Sequence, residues 1–167
     1  MLLKQGDLLE AIEDYIVQQC CCTACRPHGL SKAIADRFPH GNVYAKRKPV
    51  APRRNTACPE DRPQPGTTLI VGNGTNERYI ACLFGQMAMG LPGKYEAFGI
   101  PDKGTDREKY FSQSLEHLSK QIPASSTLAF PYKIGCGLAG GNWSNYEKIL
   151  TEWEQQHIGY TIVLYKL

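Results

Sequence analysis

The sequence predicts an α/β fold, a three-layer α/β/α sandwich with a central mixed sheet of about six strands. Three observations carry this. Short β-branched and aromatic runs alternate along the chain with segments of helical period. A Gly-Asn-Gly turn between two apolar runs marks one antiparallel hairpin. Late in the chain, the apolar run Thr127-Leu128-Ala129-Phe130 leads into Gly135, Gly137, Gly140 and Gly141, and a capped helical pattern follows at once.

Residues 1–5 read as a strand closed by a Gly6-Asp7 turn, and Tyr15-Ile16-Val17 as a second strand running into Cys20-Cys21-Cys22. From Gly29 the period changes, with Leu30, Ala33, Ile34 and Phe38 on one helical face until Pro39 stops it. Residues 39–66 are rich in Pro, Arg and Lys without periodicity, a length that signals function or partial disorder. Thr67–Val71 and Arg78–Phe84 form the hairpin, and a Gly/Pro-containing loop spans about 85–105. Asp106 is the expected cap of a helix burying Phe111, Leu115, Leu118 and Ile122, closed by Pro123. Ser144-x-x-Glu147 matches a capping box for a helix with Tyr146, Ile149, Leu150 and Trp153 on its buried stripe. Tyr160–Leu167 reads as a terminal strand with Ile162 and Leu164 alternating with polar partners.

The composition bounds the function. A chain of 167 residues, 42% hydrophobic and 21% charged, is expected to form one domain over 1–167. A net charge of +3 makes no global demand for nucleic acid or membrane, and no apolar run approaches the ~18 residues of a membrane span. The opening Met-Leu-Leu-Lys-Gln-Gly-Asp does not read as a secretion signal, so a cytoplasmic or nucleo-cytoplasmic location is expected. Seven cysteines, three of them adjacent, argue against a disulfide framework and for reduced, mostly buried thiols. Cys22, Cys25 and His28 have metal-like spacing, but no second Cys/His pair stands at finger distance. No metal and no cofactor are expected, and the role of those three residues stays open.

Glycines packed after a strand let the backbone approach a ligand and aim successive N–H groups at one point, and the helix N-terminus behind them adds positive potential. Phosphate or pyrophosphate is the guest such a loop suits, the alternative being a tight turn with no ligand. A second strand-to-helix junction, Cys20–Leu30, carries Arg26, His28 and Gly29. Two such loops at the carboxyl ends of parallel strands would frame a cleft for an extended ligand with a diphosphate at its centre.

Taken together these pieces resemble a macro domain. They are Gly6-Asp7-Leu8, the run Ile16 to Cys22 leading to Gly29-Leu30, Ile134-Gly135-Cys136-Gly137-Leu138, and the terminal Val163-Leu164-Tyr165-Lys166-Leu167. The similarity covers nearly the whole chain and is closest to small single-domain members, the terminal ADP-ribose protein glycohydrolase and fungal ADP-ribose 1″-phosphatase branches. It implies ADP-ribose, free or attached to a modified substrate, as the ligand. By this resemblance Asp7 accepts from the adenine amino group with the Leu8 N–H beside it. Cys21 stands near the distal ribose, and Gly29 and Leu30 face that ribose and the diphosphate. Ile134, Gly135, Cys136, Gly137, Leu138 and Ala139 supply the diphosphate loop. Tyr165 either lines the adenine pocket or packs as a strand residue.

The departures from the family concern catalysis. Cys21 replaces an Asn, and Ala139 stands where hydrolytic relatives carry an Asp or an aromatic ring. Gln86, carried over by the resemblance as an ADP-ribose-binding position, stands where the glycohydrolase branch has its lysine, and Gln18 where the phosphatase branch has a His. His28 is then the candidate general acid or base, and Arg26 a candidate partner for a terminal phosphate. The functions implied are hydrolysis at the distal ribose by an ADP-ribosyl hydrolase or ADP-ribose 1″-phosphatase, or non-catalytic reading of ADP-ribose. Separately, Lys46-Arg47-Lys48 with Arg53-Arg54 reads as a solvated basic face or as a nucleic-acid contact.

Overall fold

The computed structural model describes residues 1–167. Six strands, β1 (Leu2–Gln5), β2 (Tyr15–Cys21), β3 (Thr68–Val71), β4 (Tyr79–Gln86), β5 (Thr127–Pro131) and β6 (Thr161–Lys166), form one sheet. Their order is β1-β6-β5-β2-β4-β3, and only the β3–β4 hairpin pair is antiparallel. The carboxyl ends of β1, β6, β5, β2 and β4 therefore share one edge.

Strand parity builds the two cores. Ile16, Cys20, Ile80, Cys82, Ala129 and Val163 face one side, where they pack with Ile34 and Phe38 around helix α1 (Leu30–Arg37). Tyr15, Val17, Ala81, Leu83, Leu128 and Leu164 face the other, under helices α2 (Gly104–Ser119) and α3 (Trp143–Gln156). The expected three layers with a mixed six-stranded sheet are present.

Several expectations are corrected in detail. β2 runs on from Val17 as far as Cys21, and Cys20, Cys21 and Cys22 are small enough to bury completely where the strand enters the first loop, residues 22–29. β6 buries Ile162, Val163, Leu164 and Tyr165 consecutively, since it lies between β1 and β5 with a packed layer on each face. Helix α2 starts at Gly104, and Asp106 lies inside its first turn, its carboxylate accepting from the Lys103 N–H at 3.0 Å. Helix α3 is capped by Asn142, whose side chain accepts from Asn145 N; Ser144 is already helical.

Residues 39–66 are neither disordered nor free of the core. Tyr44 and Ala57 are buried, the Ala57 N–H donates to Thr23 O at 2.7 Å, and a bridge joins Pro49 to Ala57. Nor is the basic run a solvated face throughout. Arg47 is buried, donates to Cys21 O at 3.0 Å and Ala24 O at 2.9 Å, and lies over the Tyr44 ring. Its charge props the first loop from beneath, which leaves only Lys46 and Lys48 of that triplet exposed. No helix is long and apolar enough to cross a membrane.

Candidate functional site

A cleft of about 350 Å³ opens at the carboxyl edge of β2, β4 and β5. Its size is that of a small-molecule site. Arg26, His28, Gly29, Leu30 and Ser31 form one wall, and Ile134, Gly135, Gly137, Leu138 and Ala139 the opposite one. Gln19, Cys21, Tyr44 and Gln86 lie between them, with Met89 and Gly90 at the side.

The glycine loop is closed by its own hydrogen bonds. Ile134 N donates to Pro131 O, Cys136 N to Lys133 O, Gly140 N to Gly137 O and Gly141 N to Gly135 O, all at 3.0–3.1 Å. The N–H groups of Gly135, Gly137, Leu138 and Ala139 donate to no protein acceptor. Unpaired backbone donors grouped on one turn are what an anion requires. Two glycines are dictated here. At Gly135 (φ +78°) a Cβ would lie 2.6 Å from the Tyr146 ring, and at Gly141 it would lie 2.5 Å from Gly135 O. At Gly137 a Cβ would meet nothing within 4 Å, because that position faces the open cleft. Lys133, just before the loop, holds a left-handed φ of 60° without being glycine, a locally costly conformation.

The first loop is fixed from below. Asn55 Oδ1 accepts from Cys25 N at 2.7 Å and Arg26 N at 2.9 Å, while Arg47 holds the carbonyls of Cys21 and Ala24. Gly29 caps α1 with φ +54°, and a Cβ there would come 3.1 Å from Leu138 Cδ1. The two walls thus touch through Gly29 and Leu138.

The floor is a chain of amides. Gln86 Nε2 donates to Ala88 O at 2.9 Å, which turns Gln86 Oε1 toward Gln19, and Gln19 Nε2 donates to it at 2.8 Å. Gln18 has the opposite parity on β2. It lies buried beneath α1, accepting from Ser31 Oγ at 2.8 Å, and is not among the cleft residues.

Of the anticipated site residues, Cys21, His28, Gly29, Leu30, Gln86, Ile134, Gly135, Gly137, Leu138 and Ala139 line this one cleft. Cys136 does not; its amide is used inside the loop and its thiol donates to Ile134 O. Asp7, Leu8 and Tyr165 lie further along the same strand edge, at the ends of β1 and β6. Asp7 caps a short 3-10 turn by accepting from Leu9 N at 2.9 Å, and Tyr165 is buried with its hydroxyl donating to Glu13 at 2.6 Å.

The titratable groups of the cleft are Cys21, Arg26, His28, Tyr44, Tyr132 and Lys133. No Asp or Glu lines it. His28 is exposed, and its ring makes no protein hydrogen bond. Burial pushes the Cys21 thiol up, and burial likewise pushes Cys136 up to about 11, so both stay protonated at neutral pH and are poor nucleophiles. Cys22, Cys25 and His28 do not converge, and no group of three or more His, Cys, Asp or Glu gathers anywhere to hold a metal ion.

Sequence reasoning missed Gln19, Ser31, Tyr44, Met89, Gly90, Pro131, Tyr132 and Lys133 as cleft residues. Gln19 had a legible signal in its parity on β2, opposite to that of Gln18, and Pro131, Tyr132 and Lys133 in leading directly into the glycine loop.

A six-stranded mixed sheet between one helix and two, with a glycine loop at its carboxyl edge, is the macrodomain fold. Solved structures agree. The chain is similar to the macrodomain of Mycobacterium tuberculosis DarG at 21% identity and a TM-score of 0.71, with 99% of this chain and 97% of that one covered. It is similar to the macrodomain of Thermus aquaticus DarG at 19% identity and a TM-score of 0.69, with the same coverage. A Trypanosoma brucei macrodomain solved in complex with ADP-ribose matches at 14% identity and a TM-score of 0.59, over 98% of this chain and 61% of that one. No protein-family model and no curated protein matches the sequence.

Proposed function

We propose that residues 1–167 form one macro domain whose cleft binds ADP-ribose, free or attached to a modified substrate. The observation that carries this is the set of four unpaired N–H groups at Gly135, Gly137, Leu138 and Ala139, turned out of a loop that satisfies its other amides internally. They suit the diphosphate, with no metal required. Gly29, Leu30, Cys21 and Tyr44 take the distal ribose, and the Asp7–Leu8 turn with Tyr165 takes the adenine at the neighbouring strand ends. The ADP-ribose complex of the similar trypanosomal macrodomain supports the choice of ligand.

Hydrolysis at the distal ribose extends this proposal, and it rests on His28. No carboxylate lines the cleft and the Cys21 thiol is held protonated, so the imidazole is the group placed to take a proton from an attacking water. A non-catalytic reader is the second proposal, favoured by one observation: His28 has no partner to orient its ring. Calorimetric titration with ADP-ribose tests the binding. Turnover assays on ADP-ribose 1″-phosphate and on ADP-ribosylated protein or nucleic acid then separate hydrolase from reader. Absence of ADP-ribose binding by the folded chain would overturn both.

A further inference from the structure

The buried ion pair at the start of α2 is built from Arg107 and Asp102. Arg107 is 1% exposed and every N–H of its guanidinium is engaged. Nε donates to Asp102 Oδ1 at 3.1 Å and Nη2 to Asp102 Oδ2 at 2.9 Å, a bidentate pair. The remaining donors reach three carbonyls: Ala88 O at 3.0 Å, Gly90 O at 2.6 Å and Ala139 O at 3.3 Å. Asp102 is equally saturated, since its two oxygens also accept from Met87 N and Ala88 N, each at 2.9 Å.

These partners have one thing in common. Gly90 and Ala139 line different sides of the cleft, and Ala88 O also receives the Gln86 amide that orients its floor. Met87 O accepts from Cys22 N at 2.9 Å, which ties the first loop to the same segment. One planar cation therefore joins the 87–90 segment to the glycine loop at Ala139, the last of the four residues with a free amide. Lysine cannot substitute, because a single ammonium lacks the fork that reaches carbonyls on both sides while gripping both carboxylate oxygens.

We propose that Arg107, held by Asp102, is a positioning residue for the ligand: it sets the separation of the 87–90 segment and the glycine loop and so aims the amides of Gly137, Leu138 and Ala139. This rests on the proposed binding of ADP-ribose, but the geometry it claims is independent of any ligand.

The test is Arg107→Lys, which retains the charge that Asp102 requires. Two readouts are taken: calorimetric affinity for ADP-ribose, and amide hydrogen exchange without ligand. The expected result is a folded protein whose affinity falls at least about tenfold, as misplacing a binding group does. Exchange should quicken at the hydrogen-bonded amides of the two segments, Met87 and Ala88 in one and Cys136, Gly140 and Gly141 in the other, and stay unchanged in β1 and β6. Should that variant not fold, Arg107→Gln with Asp102→Asn removes both charges together and is read in the same way. Unchanged affinity with unchanged local exchange would overturn the proposal. So would exchange that rises uniformly with the loss of thermal stability, the mark of a general brace. If the wild-type chain does not bind ADP-ribose yet exchange quickens only in the two segments, the clasp stands and the ligand assignment falls.

Discussion

Gly137 and Gly135 lie two residues apart on one loop, and the structure requires opposite consequences from substituting them. At Gly137 an added Cβ meets no atom within 4 Å and φ is not left-handed, so Gly137→Val should change stability by no more than about 0.5 kcal/mol. Its branches project into the cleft where the diphosphate is expected, and affinity for ADP-ribose should fall at least about a hundredfold, or ~2.7 kcal/mol. At Gly135 the residue has φ +78°, and a Cβ would lie 2.6 Å from Tyr146 and 3.1 Å from Gln19 Oε1. Left-handed backbone costs an alanine about 1–2 kcal/mol and overpacking about 1–3 kcal/mol, so Gly135→Ala should lose about 2–5 kcal/mol. For a chain of this length that lowers the melting temperature by about 4–20 °C. Thermal melts and calorimetric titrations of both variants read the contrast directly. A Gly137→Val protein that melts like the wild type and binds ADP-ribose undiminished would refute the placement of the diphosphate.

Three more outcomes are expected. His28→Ala should lower turnover by about 10²–10⁴-fold if His28 is the acid or base, with affinity changed less than about threefold; undiminished turnover would remove it from the mechanism. Stability should fall in alkali. Burial raises Cys136 from 9.0 to about 11 and, with the Glu13 hydrogen bond, raises Tyr165 from 10.0 to about 12. The native state then keeps protons that the unfolded chain releases, so their stabilisation is complete below pH 9 and is lost as pH rises through 9–12. Urea midpoints that stay flat between pH 8 and 11 would contradict this. Leu150→Ala, at a fully buried position on the core face of α3, should cost about 2–5 kcal/mol in urea unfolding; a loss under about 1 kcal/mol would mean that the helix packs on another face.

Local chemistry made the fold and the glycine loop legible. Leu115, Leu118, Leu150 and Trp153 announce their helices by spacing alone, and Gly135 to Gly141 announce a backbone that must come close to something. Where two local signals competed, the outcome depended on closure of the loop. Asn142 and Ser144 are both good caps, but the Gly141 N–H bonds back to Gly135 O and so delivers Asn142 to the helix start first. Side chains whose partners are distant in sequence were illegible. Arg47 looks like one basic residue in a run until Tyr44 and the carbonyls of Cys21 and Ala24 surround it.

Arg107 shows the same limit in sharper form. By helical spacing it stands four residues before Phe111 and eight before Leu115, on the core face of α2, yet nothing in the local sequence shows what would hold a guanidinium there. In the fold it carries a charge that could be buried only because Asp102 and three carbonyls saturate it. Leaving any of those donors unmet would cost more than an apolar side chain of the same size. A purely apolar plug could hold α2 against β4 as well as Arg107 does. It could not fix where the carbonyls of Gly90 and Ala139 stand relative to each other, and the proposed grip of the backbone amides on a diphosphate depends on that spacing.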